Sequence, residues 1–247
     1  MRCLKLLQTM IKKSILIIFI FCCFLAKAQK GNMNFGLQYK PIIASAYFDA
    51  GTLNLQEEAF TFNLSPKYGS SLGMIVRYNL SNTFSIETGM NLVQRNYQLD
   101  ISNTDQNIED FTNIEVRSYE LPLQFLSYAK ISPRVYLNAS FGLSYNIFTS
   151  DQYSSGNNNE FFGQFTAIRK RGQSALIANF GGEYRTEEKG YYYLGFSFHR
   201  PFDVIARIYA KYDDGDNVYN ENAPSSNSSY MELNGNFLTI DLRYFFP

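Results

Sequence analysis

The 247-residue chain contains a single histidine, His199, in the stretch "FSFHRPFD", with Ser197 just before it and Asp203 just after. A hydroxyl, an imidazole and a carboxylate are the parts of a nucleophilic hydrolase, in which the histidine takes the serine proton and the acid orients the ring. A lipid esterase centred on His199 is therefore one reading of this segment. The spacing opposes it. In an extended strand Tyr193, Gly195, Ser197 and His199 fall on one parity, while Tyr192, Leu194, Phe196 and Phe198 fall on the other. An enzyme acting on lipid would need its nucleophile on the apolar face, so His199 reads as part of an enclosed polar network and the chain as a non-enzyme. No G-x-S-x-G, H-E-x-x-H or P-loop motif is present.

Two other constellations bear on chemistry. "DDGDN" gathers Asp213, Asp214 and Asp216, but it lacks the spacing and the distal glutamate of a calcium loop, so a solvated acidic turn is expected and no metal or cofactor is called for. The second set is larger. Arg77, Glu87, Glu120, Gln124, Glu183, Arg185, Asp241 and Arg243, with Asn91 and Asn138, all sit on the parity opposite to aliphatic and aromatic neighbours. Acids roughly match bases among them. Charges gathered in a narrow interior persist only when paired and hydrogen-bonded, so pairs such as Arg77 with Glu87 and Arg185 with Asp241 are expected. A packed polar plug and a polar conduit for small solutes are the two uses such a face could have.

The elements that carry these residues alternate with period two and show no sustained period of 3.6. "NFGLQY", "SLGMIVRYNL", "FSIETGMNL", "SYELPLQF", "VYLNASFGLSYNI", "LIANFGGEYR", "YYYLGFSF" and the terminal "NFLTIDLRYFFP" read as strands, eight in the simplest count. Each has one greasy face and one small or polar face. About ten residues at roughly 3.3 Å each, tilted near 40°, span the ~25 Å apolar band of an outer membrane. Tight turns are expected at Ser81 to Thr83, Ser132 to Arg134 and Glu187 to Gly190, and long polar segments at Asp49 to Lys67, Ile101 to Asn113, Ser150 to Gln173 and Asp213 to Tyr230. Short and long connections alternate, as periplasmic turns and extracellular loops do in a membrane barrel. Tyr78, Phe84, Tyr184, Tyr192, Tyr244 and Phe246 cluster beside the short turns, where an interfacial girdle belongs.

The first residues set the compartment. Arg2, Lys5, Lys12 and Lys13 precede an apolar run from Ser14 to Leu25 and an Ala26-Lys27-Ala28 cleavage pattern, so residues 1–28 are expected to be a signal peptide and residues 29–247 one outer-membrane barrel domain. All three cysteines, Cys3, Cys22 and Cys23, lie in that leader, which leaves the remainder without a disulfide or thiolate site. Without the leader the 22 bases fall to 17 against 22 acids, a net charge of −5 that argues against nucleic acid as a partner.

The leader, the alternating connections, the "SYELPLQF" and "GMNLVQRNY" strands and the aromatic last strand together resemble the outer-membrane β-barrel domain family common in Bacteroidetes, which includes the PorT-like proteins. The chain departs from that pattern in placing Pro247 after Phe246. The resemblance implies an eight-stranded antiparallel up-and-down transmembrane β-barrel in the bacterial outer membrane. It also implies contact with outer-membrane lipid and a role in adhesion, envelope maintenance or a secretion or motility assembly, with envelope proteins as partners through the loops or turns.

Overall fold

The computed structural model describes residues 33–43, 51–57, 59–158, 161–186, 188–212 and 228–247. The expected leader and the "DDGDN" turn lie outside the described residues. Fourteen strands occur among them: β1 (Met33–Ile43), β2 (Leu53–Glu57), β3 (Phe60–Pro66), β4 (Gly69–Asn79), β5 (Phe84–Asn103), β6 (Ile108–Lys130), β7 (Val135–Phe148), β8 (Gln152–Ser155), β9 (Phe162–Ile168), β10 (Gly172–Arg185), β11 (Tyr191–Pro201), β12 (Ala206–Tyr212), β13 (Met231–Leu233) and β14 (Phe237–Phe245). Eight of them close into an antiparallel ring in chain order, β1-β4-β5-β6-β7-β10-β11-β14, with β14 returning to pair with β1. These are the eight strands read from the sequence. Closure leaves no unpaired edge in the ring, so its backbone groups are satisfied without water.

The outward face changes character along a single level of the ring. On β5 the outward residues run Phe84, Ile86, Thr88, Met90, Leu92 and then Gln94, Asn96, Gln98; on β6 they run Asn113, Glu115, Arg117 and then Tyr119, Leu121, Leu123, Phe125. The register aligns the two switches, since Leu92 faces Tyr119 and Gln94 faces Arg117. Below that level the exposed side chains are almost all apolar, an uninterrupted belt that water would not tolerate and lipid would. At the opposite end the three tight turns behave as expected. Ser81 Oγ accepts hydrogen bonds from the Thr83 and Phe84 amides, and the Thr186 amide donates to the Gly190 carbonyl at 3.1 Å. Gly190 holds φ at +75°, and a Cβ there would stand 2.1 Å from the Phe245 carbonyl oxygen, so the turn requires glycine. Five of the six girdle residues named above are exposed at this end, and Tyr192, Tyr244 and Phe246 touch one another edge to face or tilted.

Three of the four long connections are not the polar loops expected, and the fourth, Asp213 to Tyr230, lies almost wholly outside the described residues. β5 and β6 run on past the apolar belt as a hairpin closed only at 104–107, so the segment from Ile101 to Asn113 is mostly strand. β2 and β3 extend the ring's sheet from β5, and β8, β9, β12 and β13 form a separate four-stranded sheet. The two layers enclose an apolar core that includes Phe62, Leu64, Leu99, Ile101 and Ile114 from one side and Phe162, Ile208 and Met231 from the other. Phe62 and Phe162 lie with ring centroids 6.1 Å apart across it. A folded cap therefore stands on the ring. In β2, β3, β8 and β9 the apolar residues are interspersed with Asn, Ser, Thr and Gln, which is why composition alone read those segments as loops, whereas β12 and β13 lie outside every segment assigned from the sequence.

Candidate functional site

The inward residues of β14, taken from the cap towards the short turns, mark successive levels of the interior. Phe237 comes first, then Thr239, Asp241, Arg243 and Phe245, all buried. Strand alternation alone puts them in line, because Leu238, Ile240, Leu242 and Tyr244 occupy the outer parity.

At the Phe237 level the His199 ring stacks on the Phe237 ring at 4.4 Å. His199 Nε2 lies 3.2 Å from Glu120 Oε1 and 3.2 Å from Ser144 Oγ. Glu120 also accepts a hydrogen bond from Asn91 Nδ2 at 2.7 Å, and Asn91 Oδ1 accepts one from Gln38 Nε2. Ser197 is turned elsewhere, donating to Asp241 at 2.6 Å, and Asp203 is exposed and bound to Lys170 at 2.7 Å, which holds its carboxyl below the usual range. The three groups of the esterase reading thus serve three separate contacts. Serine and glutamate both approach the same histidine nitrogen, whereas a triad needs them on opposite nitrogens.

One level down, Asp241 is the most heavily engaged carboxylate. It accepts from Ser197, from Thr239 Oγ1 at 2.5 Å, from Asn179 Nδ2 at 3.1 Å and from Arg243 Nη2 at 2.6 Å, and Lys40 Nζ stands 3.4 Å away. Tyr193 donates its hydroxyl to Asn179 Oδ1 at 2.6 Å. Its ring fits because Gly181 and Gly195 face each other across β10 and β11; a Cβ on either would come within 2.3 Å of that hydroxyl.

The third level is an ionic ladder. Arg243 Nη1 donates to both oxygens of Glu87 at 3.1 Å, Arg77 reaches Glu87 at 3.5 Å and Glu183 at 2.5 Å, and Arg185 reaches Glu183 at 2.5 Å. Arg77, Glu87, Glu183 and Asp241 are essentially without solvent contact. Aromatic faces close the ladder towards the short turns: Arg77 lies 4.0 Å over Phe245, and Arg185 lies 4.1 Å over Tyr136. The structure therefore joins Arg77, Glu87, Glu183, Arg185, Asp241 and Arg243 in one network. Glu120 belongs to the histidine level, and Gln124 is buried in a side contact, accepting from Ser140. The expected Arg77–Glu87 pair forms, but Arg185 meets Glu183 and not Asp241. The reason is reach: Arg185 shares β10 and a face with Glu183, while Asp241 lies a level higher beside Lys40.

Lys40, Gln38 and Arg95 are interior residues that sequence reasoning passed over. Parity signalled all three, since Gln38 and Lys40 alternate with Leu37 and Tyr39, and Arg95 continues the series Glu87, Asn91. Among the described residues no group of three or more His, Cys, Asp or Glu side chains has the arrangement of a metal site.

A closed antiparallel ring with an apolar belt outside and a paired ionic interior defines the class of outer-membrane β-barrels. Comparison with known proteins agrees. Residues 31–220 match the model of the outer membrane protein beta-barrel domain family, and the chain belongs to that family. The solved structure of outer membrane protein OprG from Pseudomonas aeruginosa superimposes with a TM-score of 0.50 at 10% identity, over 87% of this chain and 96% of that one. Outer membrane protease OmpT from Escherichia coli aligns at 12% identity with a TM-score of 0.40, over 88% of this chain and 98% of its own. None of the curated proteins matches the sequence. The last ring strand, β14, lies beyond the matched residues, yet it closes the barrel and carries Asp241 and Arg243.

Proposed function

We propose that this outer-membrane barrel is a non-catalytic scaffold, sealed to solutes, that presents its folded extracellular cap to other envelope components. The observation that carries the reading is the filled interior. Ion pairs, amides and aromatic rings occupy successive levels from Phe237 to Phe245, and an apolar core stands above them. Eight strands leave an interior just wide enough for side chains, so a continuous water path has no room. Transport through the lumen would require this network to open, and hydrolysis would require Ser197, His199 and Asp203 to abandon their present partners.

The cap supports the interaction role. It is built on two sheets with their own core, so it offers a fixed surface rather than a set of independent loops. Adhesion, envelope maintenance and membership of a secretion or motility assembly all use such a surface. The likeness of the "SYELPLQF" and "GMNLVQRNY" strands to PorT-like proteins of Bacteroidetes favours the assembly role. The test has two arms. The purified protein in a planar bilayer should give no steady conductance, and copurification from membranes in mild detergent should return a stoichiometric envelope partner that is lost when cap residues are exchanged. Regular single-channel steps from the wild type would overturn the scaffold reading in favour of transport.

A further inference from the structure

Among the described side chains that point into the ring, five cations (Lys40, Arg77, Arg95, Arg185 and Arg243) meet four carboxylates (Glu87, Glu120, Glu183 and Asp241). Every carboxylate is engaged by a cation or by His199, and every cation except Arg95 has a carboxylate partner. Arg95 is 2% exposed. Its Nη1 donates to Ser118 Oγ at 3.1 Å and its guanidinium lies 4.8 Å over the Phe237 ring, but its Nε and Nη2 have no hydrogen-bond partner among the described residues. Glu120, the one carboxylate whose charge is felt at Arg95, is already engaged by His199 and Asn91. Burying a guanidinium is unfavourable when no anion compensates it.

The compensation has a place to sit. Arg95 lines a cavity of about 30 Å³ where the cap meets the barrel wall. A water molecule needs roughly 10–15 Å³ of such space, so the cavity has room for a small ion or one to two waters. Lys67 lines the same cavity from the exposed side and makes no ion pair among the described residues. One acid, Glu232, borders it, and that carboxylate is bound by Arg207 at 3.3 Å and Arg169 at 3.6 Å. Two cations without an acid partner among the described residues, facing one small space, make an anion site.

We infer that this junction cavity binds a chloride-sized anion between the buried Arg95 guanidinium and the Lys67 ammonium. The ion balances the one unmatched charge of the interior. It also ties the cap, through Leu233 to Asn236, to the rim of the barrel at Ile42 and Arg95.

Bromide serves as the probe. The full-length protein in detergent micelles would be unfolded in urea with sodium bromide or with sodium gluconate at equal ionic strength, and crystals grown in bromide would be measured at the bromine absorption edge. Bromide should raise the urea midpoint saturably, and an anomalous peak should appear beside the Arg95 guanidinium. Arg95→Met should abolish the bromide-specific rise. Should that variant fail to fold, Lys67→Met, at an exposed position, should raise the half-saturating bromide concentration about two- to fivefold, as one exposed charge does. Equal midpoints in bromide and gluconate overturn the inference, as does an unchanged half-saturating concentration in Lys67→Met. A peak without saturable protection in solution means an adventitious ion only and overturns it equally.

Discussion

Lys40 and Asp241 offer the sharpest measure of whether the interior behaves as a packed plug. Lys40 Nζ stands 3.4 Å from Asp241 Oδ2, with side-chain exposures of 7% and 0%, and Asp241 is the one carboxylate within ion-pair distance of Lys40 among the described residues. At an effective dielectric of about 20 their attraction is about 5 kcal/mol, part of which is returned as desolvation. Asp241→Asn strands Lys40 and sets an amide NH2 against the donors Ser197, Thr239 and Asn179, so a loss of about 3–5 kcal/mol is expected. Arg243 suffers less, because Glu87 still holds it. Lys40→Met removes the stranded charge, so the double variant should be more stable than the two single losses add up to, by about 2–3 kcal/mol. The assay is urea unfolding in lipid vesicles, read by far-ultraviolet circular dichroism and by the mobility shift of unheated samples, since the chain has no tryptophan to report by fluorescence. A wall exposed to a water-filled channel would give single losses below about 1 kcal/mol and no coupling. Coupling under about 0.5 kcal/mol, with ion selectivity altered by Asp241→Asn, would refute the plug.

Charge on the outer face should separate the belt from the cap: Leu123→Arg or Phe141→Arg, both exposed near mid-strand, should cost about 2–4 kcal/mol by the same vesicle assay, and the exposed Asn158→Arg almost nothing. Ile101→Ala or Ile208→Ala, in the cap core, should cost about 2–5 kcal/mol and open Arg207, within cap strand β12, to trypsin while the heat-sensitive mobility shift of the barrel survives; a cap in which Arg207 stays resistant would refute an independent core. Gly190→Ala should lower stability by about 1–2 kcal/mol from the left-handed backbone alone, with more from the clash against the Phe245 carbonyl, and an unchanged urea midpoint would show that the turn is not constrained.

The number, order and facing of the eight ring strands were legible in the sequence because side-chain direction in a strand depends only on parity. "NFLTIDLRYFFP" already assigns Leu238, Ile240, Leu242 and Tyr244 to one side and Asp241 and Arg243 to the other, and closure of the ring changes none of it. Short turns were equally local, being written in Ser81, Pro133 and Gly190. Partner choice was not local. Arg77 is 106 positions from Glu183 and Arg243 is 156 from Glu87, so which carboxylate meets which guanidinium depends on how the strands stagger around the ring. That stagger placed Arg185 beside Glu183, brought Lys40 to Asp241 and left Arg95 without an acid. The cap was invisible for a related reason. Phe62, Leu99, Phe162 and Ile208 lie in short segments far apart in the chain, and only when two sheets face each other do they become one buried core. Parity is a property of each strand by itself, whereas register and layer packing are properties of strands in pairs, and those the folded chain alone decides.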